Sequence, residues 1–269
     1  MEVNVYEKRW LLYVDLLGWR EQIASGAGSK LLGILERIHV IAEAHNERAR
    51  QDYMTREGKY EEWGPGIRGK VSVNRLYLQY QFGAFSDHFV FSMPHSYGPW
   101  FIQSASKLVV DLLHAGFLTR GAAVLGDLYH RDNVIVGPAL VEAADMEARE
   151  AIYPRILLSP TVIQEWDNTE SVRGSTLVIE DMLGRRIVNP FSLPFEGGES
   201  VLDSFVELNY HLRDIRATID QQILTLQVAK RLAHAEKWRY MRNLIEGPIL
   251  TTEPRLRPYW DAAVHGDSS

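Results

Sequence analysis

Cysteine is absent from this chain of 269 residues, so neither a disulfide nor a thiolate zinc site can form. A basic surplus is also missing. The formal net charge is -6 and the pI is about 5.9, which argues against a broad nucleic-acid-binding face. No apolar run approaches the length of a membrane span, and the first ten residues lack the features of a signal peptide. We therefore expect a cytoplasmic protein with no nucleic-acid partner and no membrane partner.

Two aspartates that interrupt apolar strands are the most informative feature of the sequence. Asp15 follows the apolar run 11–14, and Asp87 lies in the apolar segment 82–91. Each aspartate alone is also compatible with a strand-end turn or a helix N-cap. Two carboxylates among residues suited to burial need cations or hydrogen-bond donors, and Mg²⁺ binds one or two carboxylates together with substrate phosphates. The pair therefore predicts a shared divalent-metal site.

Hydrophobic periodicity predicts strands that alternate with helices. Strands are predicted at 9–15, 75–84, 88–93, 118–127, 133–136 and 155–158, and helices at 29–50, 97–115 and 138–150. The polar, glycine-rich segment 51–70 predicts a loop. This alternation indicates an α/β or α+β architecture.

The last third of the chain has a different pattern. A glycine-containing break at 195–200 predicts a domain boundary. Large apolar residues then recur every three or four positions, which predicts helix over 201–246: Leu208, Leu212, Ile215, Ile219, Ile223 and Leu226. We predict one domain at 1–195, a helical extension or dimer arm at 196–250, and a frayed tail at 251–269.

The order of these motifs resembles that of the class III nucleotidyl cyclases. Residues 14–19 (VDLLGW) are similar to the family's strand-to-helix element with its first metal-binding aspartate, and residues 85–89 (FSDHF) to the hairpin with its second. The resemblance covers residues 8–160. Within the family, the Ser-Asp hairpin, the Arg-Gly strand at 118–121 and the Tyr-Pro-Arg ending at 153–155 most resemble the pyrimidine cyclases of bacterial antiphage (Pycsar) systems.

The resemblance implies a fold and an activity. The expected fold is α+β, with a ferredoxin-like βαββαβ core and a C-terminal helical extension. The expected reaction converts UTP or CTP into the 3′,5′-cyclic monophosphate and pyrophosphate, as a second-messenger signal in antiphage defence. Two Mn²⁺ or Mg²⁺ ions per active site are implied, and so is a homodimer, because the substrate of this family lies between two cyclase domains.

The resemblance also assigns the residues of the site. Asp15 and Asp87 become catalytic metal ligands, and the carbonyl of Leu16 joins them. Backbone N–H groups of Leu17, Gly18 and Trp19 would bind phosphate at the start of a helix. An ordinary strand-to-helix turn is the alternative explanation for the glycine.

Several positions depart from the purine cyclases. The Asn and Arg that steady the ribose and the transition state correspond to Val141 and Asp145, and neither side chain can replace them. The two purine-reading positions correspond to Gly83 and Val134, whose side chains form no hydrogen bonds to a base. Because base discrimination requires placed polar groups, these changes favour a pyrimidine substrate.

Arg120 is the candidate for the missing cation, both as a catalytic and as a substrate-binding residue. A guanidinium can donate a pair of hydrogen bonds to a phosphate or to a base carbonyl. The alternative is a surface salt bridge at the start of a strand. Tyr77, Gln79 and Gln81 share strand parity with Asp87, so they are expected on the same face of the sheet, where Tyr77 and Gln81 are candidate substrate-binding residues.

Two further residues are expected to lie outside the chemistry. His88 is expected to point away from the metal, and Arg155 to have a structural role. Two other functions remain open: an adenylate or guanylate cyclase, and a catalytically silent module that binds nucleotide or a partner.

Overall fold

The computed structural model describes residues 5–24, 26, 28–36, 39–40, 60–64, 67–70, 81–131, 134–192 and 200–265. The strands are β1 (Glu7–Leu17), β2 (Tyr60–Gly64), β3 (Ile67–Lys70), β4 (Gln81–Phe85), β5 (His88–Pro94), β6 (Leu118–Arg131), β7 (Val134–Val136), β8 (Ile156–Leu158), β9 (Val178–Glu180) and β10 (Arg186–Val188). The helices are α1 (Trp19–Ala24), α2 (28–36), α3 (Phe101–His114), α4 (Pro138–Glu150), α5 (Pro160–Asn168), α6 (Ser200–Val228), α7 (Leu232–Leu244), α8 (Leu250–Thr252) and α9 (Arg257–His265).

The main sheet has a ferredoxin-like core. Its strand order is β4-β5-β1-β6-β8-β10-β9, and β1 is antiparallel to both β5 and β6, as β4 is to β5. Helices α1 and α2 lie between β1 and β4 in the chain, and α3 lies between β5 and β6. This connectivity and order confirm the predicted α+β class and the βαββαβ core.

Strand β6 extends the core into a larger sheet. It pairs in parallel with β8 and in antiparallel fashion with β7. Gly121 lies opposite Val14, where β1 and β6 approach closely. A Cβ atom at Gly121 would lie 2.0 Å from the carbonyl oxygen of Tyr13, so only glycine fits there.

Helices cover both faces of the sheet. Alternate residues of β1 separate into two hydrophobic clusters, as the two-residue period of a strand requires. Trp10, Leu12, Val14 and Leu16 pack with residues of α2, α3 and α5. Leu11 and Tyr13 belong to the opposite cluster, which includes buried residues of α4, α6, α7 and α9. Asp15 has the parity of Tyr13, so it lies on the face that the C-terminal helices cover.

Most predicted elements are confirmed, and α4 matches its predicted range of 138–150. The predicted loop at 51–70 is wrong in part, because β2 and β3 pair as a hairpin. A Gly-Pro-Gly sequence is typical of hairpin turns as well as loops. Most of the predicted helix at 29–50, and the predicted domain boundary near 195, lie outside the described residues. In the described part of the chain, none of the helices combines the length and apolar character that crossing a bilayer requires.

The C-terminal region is helical over 201–246, as predicted, and it departs from the prediction beyond that range. The helical segment consists of α6 and α7, which meet at a turn where Lys230 has a left-handed φ of 56°. The predicted frayed tail contains α9, whose Trp260 is buried. The Arg216 guanidinium lies 4.9 Å from the centre of the Trp260 ring. It also donates a hydrogen bond to the backbone carbonyl oxygen of Trp260 at 2.8 Å. Tertiary packing of this kind stabilises a short helix that periodicity alone does not predict.

Candidate active site

Asp15 lies near the end of β1 between a histidine and an arginine side chain. In the sheet register its neighbours are His88 on β5 and Arg120 on β6. The residue is only 6% exposed. Arg120 Nε donates to Asp15 Oδ2 at 2.7 Å, and this charge-assisted bond offsets part of the cost of burying the carboxylate.

Asp87 lies beside Asp15 because the β4–β5 turn contacts the end of β1. Ser86 adopts a left-handed φ of 57° in this turn. The backbone N–H of Leu16 donates to the carbonyl oxygen of Asp87 at 2.9 Å. Two residues that are 72 positions apart in sequence are thus brought to one edge of the sheet.

Asp15, Asp87 and His88 form a cluster with the geometry of a metal site. One potential ligand atom from each lies within 4.8 Å of the others. His88 Nδ1 is 3.0 Å from Asp87 Oδ1, and His88 Nε2 is 3.8 Å from Asp15 Oδ1. The prediction that His88 points away is therefore wrong, because the register places it directly beside Asp15 on the same face. Two carboxylates with an imidazole fit Mn²⁺, and carboxylates with waters fit Mg²⁺.

A third carboxylate reaches this cluster from α4. Glu147 is buried, and its Oε1 lies 2.7 Å from Arg120 Nε. The Nε–H bonds to Asp15, so Glu147 Oε1 has no hydrogen-bond partner. Arg120 Nε therefore lies next to the carboxylates of both Asp15 and Glu147, and the positive charge of the guanidinium offsets part of their negative charge. In the described residues its Nη atoms donate no hydrogen bond, and 28% of its side chain is exposed.

The charges of the cluster shift the pKa values of its members. Burial acts to raise the pKa of Asp87, but hydrogen bonds from its own backbone and from Ser86, with the proximity of His88, hold it below the ordinary value. Burial raises the pKa of Glu147, and the negative charges of Asp15 and Asp87 act in the same direction. Asp87 is therefore ionised at neutral pH, as a metal ligand must be.

The predicted phosphate-binding turn follows directly on β1. Leu16 is buried, and Leu17 lies opposite Leu118 on β6. Gly18 has a left-handed φ of 75°, which glycine adopts without strain. Trp19 begins α1, a helix of six residues. Leu17 and Gly18 line a cavity that also contacts α6 and α7.

Gln81 lies further from the carboxylates than expected. It is the first residue of β4, buried and opposite Ser92. Ser92 Oγ accepts a hydrogen bond from Arg9 Nε at 3.0 Å and lies 2.9 Å from Nδ1 of His130. Gln81 lies on the sheet face of Asp15, where it borders this second polar cluster. Tyr77 and Gln79 lie outside the described residues.

The positions that differ from the purine cyclases are largely exposed. Val141 and Val134 are 64% and 57% exposed. Asp145 forms an ion pair with Arg149 on α4 at 3.4 Å. A Cβ atom at Gly83 would lie 3.1 Å from Ile135 Cδ1, so a larger side chain would fit only if the isoleucine moved.

Sequence reasoning missed Glu147, which lies next to Arg120, and Lys237, which lines the cavity beside Leu17 and Gly18. Glu147 carries a detectable signal. It follows Ala139 and Ala143 at intervals of four, so an acid interrupts the inward stripe of α4. Lys237 carries no such signal, because the contact between α7 and the site depends on tertiary packing. Arg155, expected to be structural, forms a buried ion pair with Asp181.

Comparisons with known proteins return structures only. No protein-family profile and no curated protein matches the chain. The chain is similar to the catalytic core of a rhodopsin-guanylyl cyclase with converted specificity in complex with ATPαS, with 13% identity over 68% of this chain and 96% of that one, at a TM-score of 0.35. It is also similar to a bacterial light-regulated adenylyl cyclase, with 11% identity over 71% of this chain and 54% of that one, at a TM-score of 0.30. These values assign no family, and the fold class rests on the strand order of the sheet.

Proposed function

We propose that the chain is a nucleotidyl cyclase that converts a pyrimidine nucleoside triphosphate, UTP or CTP, into its 3′,5′-cyclic monophosphate and pyrophosphate. The observation that carries this proposal is the convergence of Asp15, Asp87 and His88 at the end of β1 in a ferredoxin-like sheet. The motif order along the sequence supplies the reaction class. The proximity of these three side chains supports the proposal that the reaction takes place at this edge of the sheet.

The reaction needs charge compensation at a defined point. The ribose 3′-oxygen loses its proton and forms a bond to the α-phosphorus, and the bond from that phosphorus to the pyrophosphate oxygen breaks. Asp15, Asp87 and the Leu16 carbonyl would hold two Mn²⁺ or Mg²⁺ ions, which supply a lowered hydroxyl pKa and stabilisation of the attacking and leaving oxygens. Arg120 adds a guanidinium whose Nη atoms remain available for a phosphate or a base carbonyl.

The preference for a pyrimidine rests on what the purine-reading positions lack. Neither Gly83 nor Val134 offers a donor or an acceptor, and Ile135 occupies the space next to the glycine. A site without placed polar groups there cannot select adenine or guanine by hydrogen bonding. We propose that Arg120, rather than these positions, contacts the base or the triphosphate.

The biological setting and the assembly are parts of the same proposal. The Ser-Asp hairpin and the Tyr-Pro-Arg ending favour a cytoplasmic second-messenger enzyme of antiphage defence. A homodimer, in which 196–250 acts as a dimer arm, would enclose the substrate. Exposed apolar residues near the α6–α7 turn offer surface for the contact: Leu224, Val228 and Leu232.

A catalytically silent nucleotide-binding module is the second candidate. It is favoured by the absence of the Asn/Arg pair, since Val141 and Asp145 cannot steady a transition state. Retention of both metal-binding aspartates favours the enzyme.

A turnover assay with defined substrates distinguishes the proposed cyclase from the silent module. Purified protein and Mn²⁺ are incubated with each of ATP, GTP, CTP and UTP, and products are identified by mass spectrometry, with Asp87→Asn in parallel. We expect a cyclic pyrimidine nucleotide from the wild-type protein and none from Asp87→Asn, which keeps the shape of the side chain but removes its charge. Preferred cyclisation of ATP or GTP would contradict the pyrimidine assignment. Absence of any product would favour the silent module.

A further inference from the structure

A second feature of the active-site edge is a cavity of about 270 Å³ directly beside the β1–α1 turn. Leu17 and Gly18 form one wall, and α6 and α7 form the other through Thr225, Lys237 and neighbouring residues. The C-terminal helices therefore complete a concave site that begins two residues after Asp15. Its volume is at the lower limit of typical ligand pockets, about 300 Å³, so it fits part of a nucleotide better than the whole.

The wall formed by α7 is basic. Arg231, His234 and Lys237 all line the cavity. Arg231 is the N-cap residue of α7, and the spacing of three residues places His234 and Lys237 on one side of the helix. The lining includes one carboxylate, that of Glu21, and Arg231 already pairs with it at 2.8 Å. Within the described residues Lys237 forms no ion pair. Its positive charge is thus uncompensated in the cavity.

Lys237 is also within electrostatic reach of the carboxylate cluster. Burial lowers the pKa of Lys237, the proximity of Arg120 lowers it further, and Asp15 acts in the opposite direction. An ammonium that is half-buried beside another cation is costly without an anionic partner. The charge of Lys237 therefore favours an incoming anion in the cavity that it lines.

The position of Lys237 is fixed by the turn of α7 that follows it. Tyr240 Oη donates to Asp181 Oδ2 at 2.7 Å, and Arg155 pairs with the same carboxylate. The Tyr240 ring stacks on Tyr153 at 4.6 Å. This buried network joins α7 to the segment that precedes β8 and to the β9–β10 hairpin. The basic wall is consequently part of the rigid structure and does not depend on a mobile loop.

We propose that Lys237, from α7 of the helical extension, is the principal cation for the polyphosphate group of the substrate and of the pyrophosphate product, bound in the cavity beside the phosphate-binding turn expected at 17–19. This inference rests on the proposed function for the identity of the substrate, but not for the chemistry of the cavity. The cavity begins at Leu17, two residues after Asp15, so the helical extension would contribute to substrate binding.

Calorimetric titration with inorganic tripolyphosphate tests the inference without any turnover. The full chain is compared with Lys237→Met, Lys237→Arg and the control Lys107→Met, in buffer that contains Mg²⁺. Lys107 is an exposed lysine on α3, 69% exposed and outside the cavity. We expect Lys237→Met to weaken binding about 10- to 100-fold, the range for a lost charge-assisted contact. Lys237→Arg should retain most of the affinity, and Lys107→Met should match the wild type.

Equal affinity of Lys237→Met and wild type would overturn the inference, as would absence of tripolyphosphate binding by the folded wild-type protein. Circular dichroism of each variant verifies the fold. If the wild type binds tripolyphosphate through Lys237 but cyclises none of the four nucleotides, the proposed reaction fails and the anion site stands. If it cyclises a pyrimidine and Lys237→Met binds tripolyphosphate normally, the reaction stands and the anion site fails.

Discussion

At the scale of single residues, the site is a balance between buried carboxylates and one guanidinium. Asp15 and Glu147 both lie next to Arg120 Nε. The sequence indicated Asp15 and Asp87 because an acid in an apolar strand is conspicuous. It could not indicate the partner, since Arg120 is 105 positions away and only the β1–β6 register brings the two together.

Replacement of Arg120 tests this balance. Arg120→Ala leaves Asp15 and Glu147 as neighbouring acids without a cation, so we expect the free energy of unfolding to fall by about 1–3 kcal/mol. Catalytic efficiency should fall about 10- to 100-fold. If Arg120 reads the base, the loss is larger for the preferred pyrimidine, and if it binds phosphate, all triphosphates lose alike. The control is Arg186→Ala, which removes a surface pair with Asp167. Unchanged rate and selectivity in Arg120→Ala would contradict its assigned role.

His130 provides a prediction about pH. Burial, with the nearby positive charge of Arg9, lowers its pKa from 6.5 to about 3. The unfolded chain therefore binds a proton that the folded chain does not, and stability is lost as the pH falls from 6.5 towards 3. The slope that His130 contributes in this window is about 1.4 kcal/mol per pH unit.

Denaturant unfolding at about pH 7, 6 and 5 measures this slope. His130→Gln cannot take up the proton, so its stability should vary less with pH than that of the wild type. The same pH dependence in wild type and His130→Gln would show that His130 is not the responsible group.

At the scale of secondary-structure elements, the sequence correctly predicted helices whose limits depend on neighbouring residues in the chain. The range of α4 follows from Gly137 and Pro138 at its start and from its apolar stripe. Helix α9 was not predictable in this way, because it depends on the contact of Trp260 with Arg216. Arg216 lies on α6, 44 positions away in the sequence. The placement of α7 against the site likewise depends on the buried network around Asp181.

Removal of one hydroxyl tests how firmly that network holds α7. Tyr240→Phe deletes the hydrogen bond to Asp181 but keeps the ring stacked on Tyr153. We expect the free energy of unfolding to fall by about 1.5–3 kcal/mol, the range for a hydrogen bond to a charged group. Tyr153→Phe is the matched control and should cost much less, because no described residue bonds to its hydroxyl. Equal stability of Tyr240→Phe and wild type would mean that the network does not anchor α7.

At the scale of the whole molecule, the C-terminal helices bury apolar residues within the chain, among them Leu212, Ile215 and Ile219. Among the side chains of α6 and α7 that the structure describes, the large apolar residues that remain exposed lie near the α6–α7 turn, and Val228 is 78% exposed. Hydrophobic periodicity could predict the helices of the extension, but not which of their apolar residues would be buried within the same chain.

The proposed homodimer makes a prediction about mass. Light scattering at working concentration should give twice the chain mass of 30.8 kDa. Val228→Asp should shift the protein towards monomer and lower activity, because a charge at an apolar contact is costly. Leu183→Asp, at another exposed apolar residue, should leave the dimer intact. A monomeric wild-type protein with full activity would contradict the proposal.

Binding of Mn²⁺ to the carboxylate pair tests the central claim most directly. Titration of the purified chain with Mn²⁺, followed by electron paramagnetic resonance or calorimetry, is compared for the wild type, Asp87→Asn and the control Asp167→Asn, whose carboxylate pairs with Arg186 at the surface. We predict that the wild type and Asp167→Asn bind Mn²⁺ and that Asp87→Asn binds it at least about 10-fold more weakly, because a neutral amide is a poor ligand for a hard cation. Equal affinity of Asp87→Asn and wild type would contradict the metal site and the mechanism built on it.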